Sequence, residues 1–340
     1  MKAVLIGAGM VADMHAQAIA ATQGAVTLGG IWARDPQKAR TFAADHGDLR
    51  CYADLDKVAL DPSVGFCIVL TPPDARLDIA RALAEAGKPV LLEKPIERNA
   101  SAAAQIVDIF AKKNLPLGVV LQHRMRPAAR HLKALLERGA LGQIAAVDVR
   151  VPWWRDQGYY DVAGRGTYAR DGGGVLITQA IHTLDLMLHL AGPVAQVTAM
   201  ATTTPLHQME AEDFVSAGLR FANGAMGSVV ASTASFPGGA EGITLHGTQG
   251  SAVLDAADLK LYWRSGEVEH LAGAADTGGG ADPMAFGPEW HRDVIAGFAR
   301  AVAAGQEPPI SGGDALSVHQ LIDTIILAAK TGQKQEMPHG

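Results

Sequence analysis

The feature that most constrains this 340-residue chain is a short apolar run, residues 3–6, that stops at Gly7-Ala8-Gly9-Met10-Val11-Ala12 and resumes as a segment of helical periodicity. Such a pattern reads as a buried strand turning abruptly into a helix. It fits G-x-G-x-x-G/A in its required setting. Gly7 permits the tight turn, Gly9 lets backbone approach a pyrophosphate, and the small Ala12 allows close packing of helix on strand, with the helix N-terminus facing the anion. A dinucleotide is therefore expected along Gly7, Gly9, Met10, Val11 and Ala12. A secretory leader is the competing reading, because Lys2 precedes the apolar run. The run is too short for that, and glycines and Asp13 break it.

Up to Gln122 the chain alternates β-branched runs with amphipathic segments. Strands are expected at residues 3–6, 26–32, 65–70, 89–92 and 117–121, with helices such as 74–86 and 100–113 between them, which predicts βαβ units around a parallel sheet. After Arg130 the texture changes. A helix at 131–137 and a strand at 143–151 precede a polar aromatic stretch, a triple glycine and a long helix. Alternating segments then follow one another from 194 to 271, including 213–221, 225–235, 241–246 and 260–263. Strand after strand implies an antiparallel sheet. Residues 274–287 read as a glycine-rich loop, and helices at 289–304 and 314–331 close the chain. The expectation is α/β: an N-terminal Rossmann domain over 1–122 and a C-terminal α+β domain over 123–340. The second carries a large, open, mostly antiparallel sheet for substrate binding and oligomerisation.

A net charge of -6 without a basic stripe excludes a nucleic-acid partner. No apolar stretch approaches the ~20 residues of a membrane span. Cys51 and Cys67 make neither a disulfide framework nor a zinc spacing, so no metal is expected and the cytoplasm is the expected compartment. Apolar strands such as 225–231 have no neighbouring helix in sequence to cover both faces, so the sheet is expected to pair with a copy of itself as a homodimer or homotetramer.

An NAD site places a carboxylate at the end of the second strand to accept from the ribose hydroxyls. Here that place reads Trp32-Ala33-Arg34-Asp35. With Ala33 at the tip, nothing repels a 2'-phosphate and Arg34 can bind it, so the cofactor is NADP or NAD, leaning to NADP. A one-residue shift would instead give Asp35 the carboxylate role. Thr71 and Pro72 end the third strand and Glu93-Lys94-Pro95 the fourth, both at the carboxyl edge where open α/β sheets bind ligands.

Together with the glycine turn, Glu93-Lys94-Pro95 makes the chain resemble the Gfo/Idh/MocA oxidoreductases. The resemblance takes in Gln122-His123-Arg124-Met125-Arg126-Pro127, the run from Gly172-Gly173-Gly174 through His182 and Asp185, and the closing helix. It implies a hydride-transfer enzyme acting on a secondary alcohol of a sugar, cyclic polyol or nucleotide sugar. Lys94 would lie beside the nicotinamide and the reacting hydroxyl, where positive charge stabilises a developing alkoxide. Thr71, Pro72, Glu93 and Gln122 would complete the cofactor site, with Glu93 holding the turn or the cofactor. On a helix, Thr178, His182 and Asp185 share one face. His182 would exchange the alcohol proton, and Asp185 would orient its ring and favour the imidazolium. Both domains are thus expected to serve one alcohol.

Two positions depart from the family pattern. Thr178 stands where inositol-dehydrogenase-like members carry aspartate, so Thr178 and Gln179 can bind substrate but cannot act as a base. Arg76 stands where many members carry histidine. The segment from Trp153 to Tyr160, followed by Gly164-Arg165-Gly166-Thr167, resembles the nucleotide-sugar 3-dehydrogenase subgroup. Arg124, Tyr160 and Arg165 are therefore expected substrate contacts beside Thr178, Gln179 and His182, since rings and guanidinium groups suit sugar faces and anions. The alternatives on the same scaffold are a trans-dihydrodiol dehydrogenase, an imine-reducing enzyme, a cycle with a retained cofactor, and a non-catalytic dinucleotide sensor, against which Lys94 argues.

Overall fold

The computed structural model describes residues 1–273 and 287–338, so the glycine-rich loop expected at 274–287 lies, but for Gly287, outside the described residues. Chain contacts divide it into two compact units. The first is Met1–Gln122 with Pro288–Leu316, the second His123–Gly287 with Ser317–Gly340. The boundary expected at 122/123 assigns Pro288–Leu316 to the second domain, whereas the structure packs it with the first. The reason is apolar. Helix Glu289–Ala304 lies against helix Ala12–Ala20. Its Phe298 meets Phe66 edge-on at 5.2 Å and fills the space left by Gly118, where a Cβ would come within 2.6 Å of the Phe298 ring.

In the first unit, β1 (Lys2–Ile6), β2 (Thr27–Trp32), β3 (Phe66–Val69), β4 (Val90–Glu93) and β5 (Leu117–Val120) form a parallel sheet in the order β2-β1-β3-β4-β5. Every residue of β3, β4 and β5 is buried. Helices on both faces explain why those strands read as unbroken apolar runs. Strand order reverses at β1, so the loops leaving β1, β3 and β4 share the carboxyl edge beside a topological switch point.

In the second unit, β6 (Ile144–Pro152), β7 (Val194–Thr202), β8 (Phe214–Phe221), β9 (Met226–Ser232), β10 (Gly242–Gly247), β11 (Gly250–Asp255), β12 (Asp258–Trp263), β13 (Val268–Leu271) and β14 (Gln335–Glu336) make one sheet. Its order is β13-β12-β11-β10-β6-β9-β8-β7-β14, and every neighbouring pair is antiparallel except β6 with β9. One face carries helices Pro127–Glu137 and Ile181–Ala191. Burial alternates accordingly: Val147, Val149 and Val151 of β6 and Val215, Ala217 and Leu219 of β8 are buried. On the opposite face Met200, Met226, Val230 and Tyr262 are exposed. Among the described residues no helix is long and apolar enough to cross a membrane.

Candidate active site

The glycine turn is built as its sequence requires. Gly7 has φ of +116°, and a Cβ there would sit 3.2 Å from the Thr71 amide nitrogen, so the loop lies hard against the end of β3. Its N–H donates to Trp32 O at 2.7 Å, tying the turn to the end of β2. Gly9 faces open space, with no atom within 4 Å of where a Cβ would be. The helix beginning at Ala12 has no side-chain cap at Val11. The Ala12 N–H donates to Gly9 O at 3.0 Å, and the N–H groups of the rest of that first turn face the glycine loop's end of the helix, where an anion is favoured. Met10 is exposed beside them. Past the ends of β3 and β5, two polar atoms are buried without a hydrogen-bond partner among the described residues: Thr71 Oγ1, next to the exposed Pro72, and Gln122 Oε1. Orphaned polar atoms of this kind mark a place where a polar ligand belongs.

At the end of β2, Ala33 is half-buried and Arg34 exposed. Asp35 caps helix Pro36–Asp45 by accepting from the Gln37 amide at 2.9 Å. One oxygen of the exposed Asp35 carboxylate, Oδ1, is thus committed to the helix start.

Past β4 the chain passes through a cis Lys94–Pro95 peptide. Lys94 is half-buried. Glu93, expected to hold the turn or the cofactor, is buried and bonds to its own turn: Oε2 accepts from the Lys94 amide at 3.0 Å and Oε1 meets His15 Nε2 at 2.7 Å. His291 Nε2 lies 3.9 Å from the same oxygen. Burial alone would raise the Glu93 pKa, but the hydrogen bond and charge of His15, with His291 and Lys94, hold it down at about 2. Burial pushes His291 down to about 4, so its ring is neutral at working pH.

In the second unit the last glycine of Gly172-Gly173-Gly174 is fixed by a close backbone neighbour. A Cβ on Gly174 would lie 1.7 Å from Glu212 O, so the close neighbour is the Glu212 backbone. The Glu212 carboxylate, which the sequence reading did not single out, accepts from Gly174 N at 3.1 Å and Leu176 N at 3.2 Å. Burial raises its pKa. Residues Leu176–Ala180 then form a π-helical turn before helix Ile181–Ala191. Thr178 thus lies in the π turn that leads into the α-helix carrying His182 and Asp185. Single π turns of this kind recur at functional sites. Thr178 Oγ1 donates to Gly174 O at 2.6 Å and also contacts Gln179 Oε1, while Gln179 Nε2 donates to Tyr159 OH at 3.3 Å.

His182 is buried, its ring stacked on His123 at 4.8 Å between centroids. Arg126 donates to His123 Nε2 at 2.8 Å. A guanidinium only donates, so that nitrogen accepts and His123 is neutral with its proton on Nδ1. Asp185, expected to orient the His182 ring, forms a fork with Arg124: Nε to Oδ2 at 2.8 Å and Nη2 to Oδ1 at 2.6 Å, both side chains buried. Arg124, an expected substrate contact, spends this fork on Asp185. Tyr160 is another expected substrate contact. It is buried, its hydroxyl 2.7 Å from Thr233 Oγ1, and burial pushes its pKa up to about 12. The half-buried ring is Tyr159, with the guanidinium carbons of Arg165 and Arg155 at 4.3 and 5.6 Å from its centroid. Only its position beside Tyr160 could have singled it out.

Residues 1–121 match the model of an oxidoreductase family with an NAD-binding Rossmann fold, and residues 129–253 that of the GFO/IDH/MocA C-terminal domain. The chain belongs to the Gfo/Idh/MocA oxidoreductase family. Levoglucosan dehydrogenase of Pseudarthrobacter phenanthrenivorans is 28% identical over 81% of this chain and 73% of that protein. Among solved structures, levoglucosan dehydrogenase with NADH and levoglucosan superposes with a TM-score of 0.89 at 25% identity, covering 99% of each chain. The WlbA dehydrogenase of Bordetella pertussis with NADH and UDP-GlcNAcA superposes with a TM-score of 0.84 at 27% identity, covering 100% of this chain and 99% of that one. The open space over Gly9, the uncapped helix and the two orphaned oxygens fit the NAD(H) of this Gfo/Idh/MocA chain.

Proposed function

We propose that the protein transfers a hydride between a nicotinamide dinucleotide and a secondary alcohol of a sugar, cyclic polyol or nucleotide sugar. The observation that carries this reading is the Lys94 turn: an ammonium at the carboxyl edge of the sheet, its backbone held by Glu93 within the unit that carries the glycine loop. When bound, the dinucleotide supplies a hydride acceptor or donor. Gly7, Gly9 and the first turn after Val11 would hold its pyrophosphate, with Met10, Thr71, Pro72 and Gln122 around it. Lys94 would stabilise negative charge on the alcohol oxygen, and His182 would exchange the hydroxyl proton. Thr178 has no carboxylate to share that task. Substrate specificity would come from Thr178, Gln179, Tyr159 and Arg165. Relatives that bind levoglucosan or UDP-GlcNAcA support a sugar-like substrate.

The same reading favours NADP over NAD. Ala33 follows β2 where an NAD site carries a carboxylate, Asp35 caps the next helix, and Arg34 is exposed next to Ala33. We further read the open face of the second unit's sheet as a contact between copies, giving a homodimer or homotetramer. Register places Met200, Val230, Met226 and Tyr262 on that one face. The cytoplasm is the proposed compartment, in keeping with the unpaired Cys51 and Cys67.

The test is Lys94→Met beside His182→Ala. Each should bind NADH or NADPH like the parent yet lose ~10²-fold or more in turnover on whichever alcohol a sugar, polyol and nucleotide-sugar screen identifies. Parental turnover in both variants would refute the assignment.

A further inference from the structure

Arg76 is buried at the start of helix Arg76–Glu85, within the first unit. Its Nε donates to Thr71 O at 2.9 Å, and its Nη1 donates to the carbonyls of Glu93 and of Pro95. One guanidinium therefore holds the loop after β3 and the turn after β4, and in that turn it grips the residue on each side of Lys94. Burial lowers the Arg76 pKa to about 10, while Glu93, Glu97 and Asp74 hold it up, so the group is cationic at neutral pH. A second brace comes from the dinucleotide helix. His15, fully buried, meets Glu93 Oε1, and Glu93 Oε2 accepts from the Lys94 amide.

Three carbonyls on two loops demand several donors at fixed angles. A guanidinium supplies five N–H groups in a rigid fork, whereas an imidazole offers at most two and an ammonium offers no plane. This accounts for arginine at a position where the family resemblance leads one to expect histidine. Nothing in the pattern of apolar residues requires a buried cation there, and burying one is costly unless its hydrogen bonds are satisfied. The satisfied bonds all go to the two loops of the expected cofactor edge.

We propose that Arg76 and His15 are positioning residues that hold Lys94 in place, Arg76 by clamping the carbonyls on both sides of it and His15 by fixing the Glu93 carboxylate that takes its amide. The proposal rests on the reading of Lys94 as the group beside the nicotinamide. A loosely held Lys94 would be displaced while the glycine loop, on a different strand, still binds the dinucleotide.

The experiment needs no substrate. Full-length protein is labelled with acetic anhydride with and without saturating NADH, and acetylation of Lys94 is read by peptide mass spectrometry. NADH affinity is measured by fluorescence titration. The variants are Arg76→Met, Arg76→Lys, His15→Leu and His15→Gln, each checked for a cooperative melt. In the parent, NADH should protect Lys94. Arg76→Met and His15→Leu should each cut that protection about tenfold while NADH affinity changes less than about threefold, since misplacement by an ångström is costly to a site whereas pyrophosphate binding is made elsewhere. His15→Gln, whose amide N–H can still reach Glu93, should restore protection, an outcome that a merely structural role does not produce. Arg76→Lys keeps the charge without the fork and should fall between, and it decides the Arg76 arm if Arg76→Met fails to fold. Parental protection in Arg76→Lys and His15→Leu overturns the brace alone. Absence of protection in the parent overturns the placement of Lys94 and the brace with it.

Discussion

Asp185→Asn keeps the shape of a side chain that is 1% exposed and removes only its charge. Its partner Arg124, 8% exposed, then donates its fork at 2.8 and 2.6 Å to a neutral amide that offers one acceptor oxygen in place of two. Breaking one member of a buried ion pair costs about 3–5 kcal/mol, because the remaining charge stays desolvated. No cavity is made, so the electrostatic loss stands alone. Replacing both, Arg124→Met with Asp185→Leu, removes both desolvation penalties and should cost less than either single change. The coupling between the sites should therefore be large. Urea unfolding read by tryptophan fluorescence measures this. Trp153, Trp154 and Trp263 lie in the second unit, so a Trp32→Phe, Trp290→Phe background reports that unit only. A loss below about 1 kcal/mol for Asp185→Asn, or additive losses in the double variant, would refute the reasoning.

Arg34→Ala should weaken NADPH more than NADH in calorimetric titrations, because only NADPH brings a 2'-phosphate to the guanidinium; equal losses contradict the NADP preference. Light scattering at micromolar concentration should give a dimer or tetramer, and Val230→Lys on the open sheet face should shift the mass toward monomer, whereas a monomeric parent ends that reading. Acid should unfold the protein early. The unfolded chain protonates His291 near 6.5 but the folded one only near 4, so stability falls as pH drops through that window, by about 3 kcal/mol for a fully buried ring. Glu93, depressed from 4.5 to about 2, adds a further loss in the same direction below pH 4.5. Urea midpoints against pH for the parent and for His291→Gln check this, and a parent curve flat between pH 6.5 and 4 contradicts it.

How far the sequence reaches depends on whether the physics is local. The glycine turn was legible because each residue answers a backbone demand: Gly7 needs its positive φ, and Ala12 needs to be small at a helix start. The five parallel strands were legible because burial on both faces leaves continuous apolar runs. β11 and β13 were not named, since β11 opens on small residues and β13, Val268–Leu271, is exposed throughout, leaving no apolar alternation to read. The site side chains follow the same division. Lys94 and His182 could be singled out by motif, but the company they keep could not. Asp185 sits one turn from His182 in sequence and still forms its fork with Arg124, 61 residues away. Glu93 answers to His15, 78 residues before it. Arg76 could not be explained until the Thr71, Glu93 and Pro95 carbonyls were seen together. Helical spacing says which side chains can meet along one element. It says nothing about which partner wins when a buried guanidinium from another element competes for the same carboxylate. The Arg124–Asp185 fork spans two elements, and it forms because a buried arginine without its hydrogen bonds is costly.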